Sequence, residues 1–560
     1  MAIRDRLTAP QLRLPRYTVQ RDLPVRMPDG VTLLADRYIP LGVRRPPPTI
    51  LVRTPYGRRG PASVLNGLPF VPFGFQLLVQ SARGTFGSGG EFDPLGSEHD
   101  DGVATVEWLK KQPWFNGSFA TYGASYLGYS AWALAADAGP ELKAMSLQIT
   151  ASSFRDAAYV GGSFALESTL TWTELTHRQQ QPFGLLTAPL LSRRRAVRAA
   201  RSGRPLAELD LAAGGEPMRF YQDLISNHGA ANHGTGDHGP GDAYWAKRDF
   251  SATVGSVEAP VALLGGWYDV FLPWLVKDYL ALRAAGHRPH LTIGPWWHTD
   301  ARHGLVSFRE SLAWFRAHLR GDSSGVRADP VRVYVTGARE WRDYQDWPPP
   351  GTRTERWHLH AGGGLGPGGP QDHEPSRYRF DPARPTPALG GPTLLGSSKP
   401  VDNRPLEKRD DVLVFTSPVL TEDTDIVGPV AAELYVRSSR AHTDFIVRLC
   451  DVAPDGASRN VCEGGLRLLP ADGDVRRVTV DMWPAGHRFR KGHRVRVHVA
   501  SGAYPKVAVN PGTGEPLGAA RTMVAADQEV FHDPEHPSAI LLPCAGRSPA
   551  PAIPDPAAER

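Results

Sequence analysis

A chain of 560 residues is too long for one hydrophobic core, and its length suggests about three or four domains. With 41% hydrophobic and 22% charged residues it is globular, which excludes a disordered or collagen-like chain. The net charge of +5 comes mostly from scattered arginines and marks no nucleic-acid face. The exception is the run Arg193, Arg194, Arg195, Arg198, Arg201 and Arg204, which reads as a solvated helix edge because no aromatics interleave it. No apolar run reaches the roughly 18 residues of a membrane span; the most apolar stretch, 261–276, is broken by Asp269 and Pro273. The charged first residues lack an apolar leader, and Cys450, Cys462 and Cys544 are too few for a disulfide framework or zinc cluster. Cys450 and Cys462 are expected as reduced core residues on neighbouring strands, and the chain reads as cytoplasmic.

Residues 18–40 alternate polar and apolar around Pro28-Asp29-Gly30, the pattern of an edge hairpin. Two dense apolar runs follow, 49–53 and 75–80, which read as buried strands ending at Tyr56 and Arg83. A helix is expected next, with Asp100 and Asp101 in its first turn and Lys110 and Lys111 near its end. Then comes Gly123-Ala-Ser125-Tyr-Leu-Gly128, between a β-capable run and an alanine-rich helical one. That is the layout of a nucleophile elbow, in which a cramped turn exposes a serine and demands small neighbours. The strict pattern would place glycine at 127; here Leu127 stands there and Gly128 supplies the small residue. By itself the motif is equally compatible with an ordinary strand-to-helix turn capped by serine. Residues 143–150 form one more apolar strand, and the alternation of strands and helices implies a parallel α/β sheet.

From 152 to 254 strand signals give way to helical stretches (164–180, 185–200, 217–224) and a Gly/His-rich loop at 227–241. This segment reads as a helical lid over the strand ends. His228, His233 and His238 recur at intervals that share no helical face, so they read as a polar loop and not as metal ligands. The α/β texture resumes with a strand at 261–266 that delivers Asp269 and another at 291–294 that delivers His298. Serine, acid and histidine thus fall in the chain order of α/β-hydrolases, each just past a strand's carboxyl end, where functional groups gather in such sheets. Trp267, Phe271, Trp296 and Trp297 flank these residues and Trp172 sits in the lid; they are candidates for an aromatic pocket, with plain core packing as the alternative. Beyond Trp347-Pro-Pro-Pro-Gly351 helical signals vanish and short strands between Gly/Pro turns imply an all-β sandwich. The expected organisation is an α/β domain (1–151 and 255–351) interrupted by the lid (152–254), then a β-sandwich (352–545) and a disordered tail (546–560).

With these residues assembled, the chain resembles the CocE/NonD family of serine esterases over nearly its whole length. The resemblance rests on Arg53-Thr-Pro-Tyr-Gly57, Ala82-Arg-Gly84, Gly123-Ala-Ser-Tyr-Leu-Gly128, Gly266-Trp-Tyr-Asp269 and Gly294-Pro-Trp-Trp-His298. In the β region it extends to Asp402-Asn-Arg-Pro, Thr443-Asp-Phe445, Gly492-His-Arg494 and Asn510-Pro-Gly-Thr-Gly514. It implies an α/β-hydrolase domain with a helical lid and a galactose-binding-like jelly roll closing one side of the pocket. It implies Ser125, Asp269 and His298 as a triad, an oxyanion hole made by the Tyr56 hydroxyl and the Tyr126 backbone N–H, and no metal or organic cofactor. The substrate it implies is a small-molecule ester or amide; no nucleic-acid or membrane partner is expected, and a homodimer stays open. An X-prolyl dipeptidyl-peptidase, an α-amino-acid ester hydrolase using lid acids such as Glu167, Glu174 and Asp242, and an acyltransferase are alternatives on the same scaffold. A non-catalytic carbohydrate-binding protein is the alternative from another class. One departure is Ser81, where the family pattern calls for aspartate, which puts a local supporting hydrogen bond in question.

Overall fold

The computed structural model describes residues 17–60, 66–181, 183–228, 240–468, 470 and 474–545. The expected tail at 546–560, His233 and His238, and the side chain of Asp242 lie outside the described residues. Among those described, a ten-stranded sheet is built from β1 (Tyr17–Arg26), β2 (Thr32–Pro40), β3 (Thr49–Thr54), β4 (Gln76–Ser81), β5 (Phe119–Ala124), β6 (Leu142–Gln148), β9 (Val261–Tyr268), β10 (His290–Trp297), β11 (Val331–Val335) and β12 (Glu340–Tyr344). A small hairpin of β7 (Tyr159–Val160) and β8 (Ser163–Phe164) stands apart from it. The sheet order is β1-β2-β4-β3-β5-β6-β9-β10-β11-β12, antiparallel at both edges and parallel from β4 through β11. Every residue of β3 and β4 is buried, as expected of parallel strands covered on both faces. The two glutamines this places in the interior each accept from an arginine: Arg37 donates to Gln76 (2.7 Å) and Arg53 to Gln80 (2.9 Å). Ser81, in place of the family aspartate, still accepts from Arg58 at 2.7 Å. This is the α/β-hydrolase fold, with β3, β4, β5, β9 and β10 opening their carboxyl ends toward one face.

Helices dominate the span between β6 and β9, the longest being Leu166–Arg178 and Gly184–Ala200. The arginine run is not simply a solvated edge. Arg193 pairs with Glu167 (2.7 Å) and Arg195 with Glu174 (2.9 Å), stitching these two helices together. The lone-residue reading missed this because the partner carboxylates lie one helix upstream. His228 also departs from expectation: it is buried, and its Nε2 donates to the Gly162 carbonyl at 3.0 Å.

The second large sheet, thirteen-stranded, takes up the chain from Arg353 to Cys544 and is all-β. The sequence pattern expects strands at 357–360, 412–416, 430–437, 444–452, 476–482 and 494–500, and each coincides with an observed strand, but it leaves Ser458–Leu468 unmarked. That strand contains Asn460 and Gly464-Gly465, poor strand formers alone, and is held by a long antiparallel pairing with Thr443–Val452. Cys450 and Cys462 lie on these two neighbouring strands, buried and unbridged. Among the described residues no helix is long and apolar enough to cross a membrane.

The bonds of one buried carboxylate are among those that hold the sandwich to the lid. Asp444, almost fully buried, accepts from Arg467 Nε (2.8 Å) and Nη2 (2.9 Å), Asn510 Nδ2 (2.7 Å) and the lid's Ser163 hydroxyl (3.0 Å). The Arg467 N–H donates to the Gly161 carbonyl of the lid hairpin at 2.7 Å. There is no room for a side chain at Gly161, where a Cβ would sit 1.7 Å from the Gly465 carbonyl oxygen. Removing one member of a buried ion pair leaves the other charge stranded, at a cost of about 3–5 kcal/mol. Asp444→Ala is therefore expected to lower the denaturation midpoint strongly and to expose the 155–228 segment to limited proteolysis, and an unchanged midpoint would refute the role. Burial, reinforced by the nearby Arg467 guanidinium, holds the His228 imidazole down to about 4 from its ordinary 6.5. Between those values the unfolded chain binds the proton and the native one does not, so stability falls as pH drops through that window. His228→Gln is expected to flatten this slope in thermal unfolding followed at stepped pH; parallel slopes would refute it.

Candidate active site

The site is organised by the turn between β5 and the helix Tyr126–Ala135. Ser125 sits there at φ 56°, ψ −125°, a backbone conformation costly for any residue with a side chain. The flanking contacts explain why the turn closes only with glycine at 123 and 128. A Cβ on Gly123 would lie 2.3 Å from the Leu127 carbonyl carbon, and one on Gly128 would lie 2.5 Å from Thr150 Cγ2. Leu127 is tolerated because only its backbone approaches Gly123, while its side chain is buried in the core. Hydrogen bonds then fix the strained residue: its N–H donates to Gln148 (3.0 Å), and its carbonyl accepts from Thr150 Oγ1 (2.6 Å), Gly128 N (2.9 Å) and Tyr129 N (3.0 Å).

Ser125, His298 and Asp269 come together although up to 173 residues separate them. Ser125 Oγ lies 3.1 Å from His298 Nε2, and His298 Nδ1 lies 2.8 Å from Asp269 Oδ2. A carboxylate only accepts, so Nδ1 carries the proton and Nε2 is left to receive the serine proton. The other oxygen of the buried Asp269 accepts the Phe271 N–H at 2.6 Å. The sandwich also reaches this point: Trp483 Nε1 donates to the Asp269 carbonyl at 3.0 Å. Sequence reading missed Trp483, because nothing local to it announces a partner 214 residues away.

A second network lies under the elbow. Tyr126 is the first residue of its helix, so its backbone N–H has no acceptor within the helix. The Tyr126 hydroxyl donates to Glu98 Oε1 (2.9 Å), whose other oxygen meets Arg53 at 2.8 Å. Burial pushes the Glu98 carboxyl up, opposed by the Arg53 charge. The Tyr56 ring packs edge-on to Tyr126 at 6.3 Å, and the Tyr56 hydroxyl accepts from Trp172 Nε1 at 2.9 Å. Burial pushes the Tyr56 phenol up to about 12, so it stays a neutral donor at ordinary pH.

A cavity of about 120 Å³ opens beside Ser125 between all three parts of the chain. The lid contributes Phe154, Trp172, Phe220 and Trp245 to it, the segment after Asp269 contributes Val270 and Phe271, and the sandwich contributes Leu394, Ile446 and Trp483. Its charged lining residues, Glu463 and Lys506, are paired with each other, and Arg448 also pairs Glu463 (2.6 Å). Of the predicted aromatic pocket, Trp172 and Phe271 are in place and three tryptophans are not. Trp267 is buried in the core and donates to the Tyr334 carbonyl at 2.6 Å. Trp296 packs on Trp341 (5.6 Å), and Trp297 lies under Arg302 (5.2 Å) and Lys399 (5.6 Å). Adjacency in sequence to Asp269 and His298 misled here: the three tryptophans belong to β9 and β10, whereas Asp269 and His298 lie just past the strand ends, where the chain has left the strand's alternation.

Residues 29–300 match the family model described as X-Pro dipeptidyl-peptidase (S15 family), and residues 324–541 match that of the X-Pro dipeptidyl-peptidase C-terminal non-catalytic domain. A cocaine esterase from Rhodococcus sp. (strain MB1 Bresler) is 31% identical, over 94% of this chain and 98% of its own. The chain belongs to the CocE/NonD family of serine hydrolases. This CocE/NonD member is accordingly a serine esterase or acyl hydrolase. A putative serine esterase from Mycobacterium bovis is 25% identical, over 92% of this chain and 95% of its own. Among solved structures, an aminopeptidase from a marine sediment Thaumarchaeota archaeon superposes with a TM-score of 0.81 at 24% identity, covering 96% of this chain and 98% of that one. An α-amino acid ester hydrolase superposes at 0.78 with 22% identity, covering 96% and 99%, and both likenesses speak for the fold alone.

The Gly123 contact is with backbone, which cannot swing aside. Gly123→Ala is expected to displace Ser125 and to cost about 100-fold or more in kcat for an activated ester. Near-wild-type turnover by that variant would show that the turn has more room than the geometry allows.

Proposed function

We propose that this enzyme hydrolyses small-molecule carboxylic esters, and secondarily amides, through an acyl-enzyme formed on Ser125. The observation that carries the reading is the unbroken hydrogen-bond chain from Ser125 through His298 to Asp269. His298 takes the serine proton as Oγ attacks the carbonyl and returns it to the leaving group, while Asp269 keeps the imidazole in the useful tautomer. The Tyr56 hydroxyl and the Tyr126 N–H receive the developing oxyanion. Water, activated by the same histidine, then releases the acid.

The cavity supports an uncharged, bulky and largely apolar acyl group. An X-prolyl dipeptidyl-peptidase or α-amino-acid ester hydrolase must hold an ammonium group, which calls for an uncommitted carboxylate near the serine. Of the lid acids weighed for that task, Glu167 is engaged by Arg193 and Glu174 by Arg178 and Arg195, while the side chain of Asp242 lies outside the described residues. Glu463 in the cavity is likewise engaged by Arg448 and Lys506. A desolvated ammonium without its own counter-charge is strongly disfavoured there. Acyl transfer in place of hydrolysis remains the second outcome of the same acyl-enzyme, and the enzyme is expected to act in the cytoplasm on a small-molecule substrate.

Ser125→Ala is expected to abolish burst release from an activated ester and to lower kcat by about 10⁴-fold or more. A retained burst would end the scheme. Across an ester panel with one common leaving group, kcat/KM for aromatic and branched acyl groups is expected to exceed that for α-amino-acyl groups by at least about tenfold. The reverse preference would favour the amino-ester reading.

A further inference from the structure

We propose that Trp172, on the lid helix Leu166–Arg178, is a positioning residue that aims the Tyr56 hydroxyl proton at the oxyanion. The inference rests on the reading of Tyr56 as an oxyanion donor and adds a residue that acts through it. An indole N–H can only donate. Trp172 Nε1 is 2.9 Å from the Tyr56 oxygen, so that oxygen is the acceptor and its own proton must point elsewhere. Among the described residues the Tyr56 hydroxyl makes no other hydrogen bond, which leaves its proton for the substrate oxygen. A phenol turning freely would spend much of its time aimed away; the indole removes that freedom before substrate arrives. The same bond draws charge from the phenol oxygen, opposing the effect of burial and strengthening its O–H as a donor.

Trp172 is held where this can work. Its ring lies parallel to Tyr126 (8° between planes, centroids 5.8 Å apart), and Phe220 packs edge-on at 5.1 Å. Tyr126 is pinned in turn by its hydroxyl on buried Glu98. One aromatic stack therefore ties both proposed oxyanion donors, the Tyr56 hydroxyl and the residue carrying the second N–H, to a helix of the lid. Its consequence is that the lid serves the chemistry as well as walling the cavity: a shift of this helix would release the Tyr56 hydroxyl.

Trp172→Phe removes the N–H while keeping a ring in the wall. On an activated ester, kcat is expected to fall about tenfold, the size of one lost hydrogen bond to the donor, with KM within about twofold of wild type. Added to Tyr56→Phe, itself expected to cost about 100- to 1000-fold, the substitution is expected to change kcat no further. A raised KM with unchanged kcat, or an equal kcat loss in the Tyr56→Phe background, would overturn the proposal and leave Trp172 as a wall residue. Full activity of Tyr56→Phe would instead refute the oxyanion role of Tyr56, and the proposal would fall with it, whatever Trp172→Phe showed. If Trp172→Phe does not fold, Trp172→His against Trp172→Leu replaces it. The imidazole N–H is expected to support the higher kcat, and equal values would count against the proposal.

Discussion

The structure depends on one strained residue. Ser125 occupies a backbone conformation that costs of order 1–3 kcal/mol, and its surroundings leave it no relaxed alternative. Gly123 lets the Leu127 backbone close over the turn, Gly128 lets Thr150 approach, and Thr150 then donates back to the Ser125 carbonyl. The strain has a use. It holds the hydroxyl at the carboxyl edge of the sheet, where β9 and β10 deliver Asp269 and His298 within hydrogen-bonding reach. A relaxed helix N-cap would direct the same hydroxyl at its own backbone amides.

Around that point three separately encoded parts of the chain complete one another. The α/β part provides the hydrogen-bonded chain Ser125–His298–Asp269, the lid provides Trp172 and most of the aromatic wall, and the sandwich closes the cavity while Trp483 donates to the Asp269 carbonyl. Asp444 serves as a shared fastening, accepting from the sandwich and the lid together. Charge in this molecule is used mainly inward. Many arginines that look like surface decoration in the sequence are bound to carboxylates that fold beside them, and those pairings leave the cavity's acids committed elsewhere.

Much was legible before folding. The buried runs at 49–53 and 75–80, the elbow and the serine–acid–histidine order follow from local rules: strand density, the smallness a tight turn requires, and the tendency of functional groups to collect at strand ends. The strand Ser458–Leu468 was not legible, since its glycines and asparagine argue against a strand until a partner supplies the hydrogen bonds. The pocket was only half legible. Phe271 and Trp172 face the cavity, whereas Trp267, Trp296 and Trp297, equally close in sequence to the triad, turn into the core or away from the cavity.

By itself the sequence determined the fold class, the position of the turn and which three side chains could form a relay, because each depends on spacing along the chain. Only the tertiary structure decided which aromatics line the cavity, which acids are paired with arginines, and that a lid tryptophan touches Tyr56. Those outcomes depend on distances between residues that are remote in sequence, and no local pattern records which of two strand faces, or which of several nearby charges, a packed side chain will meet.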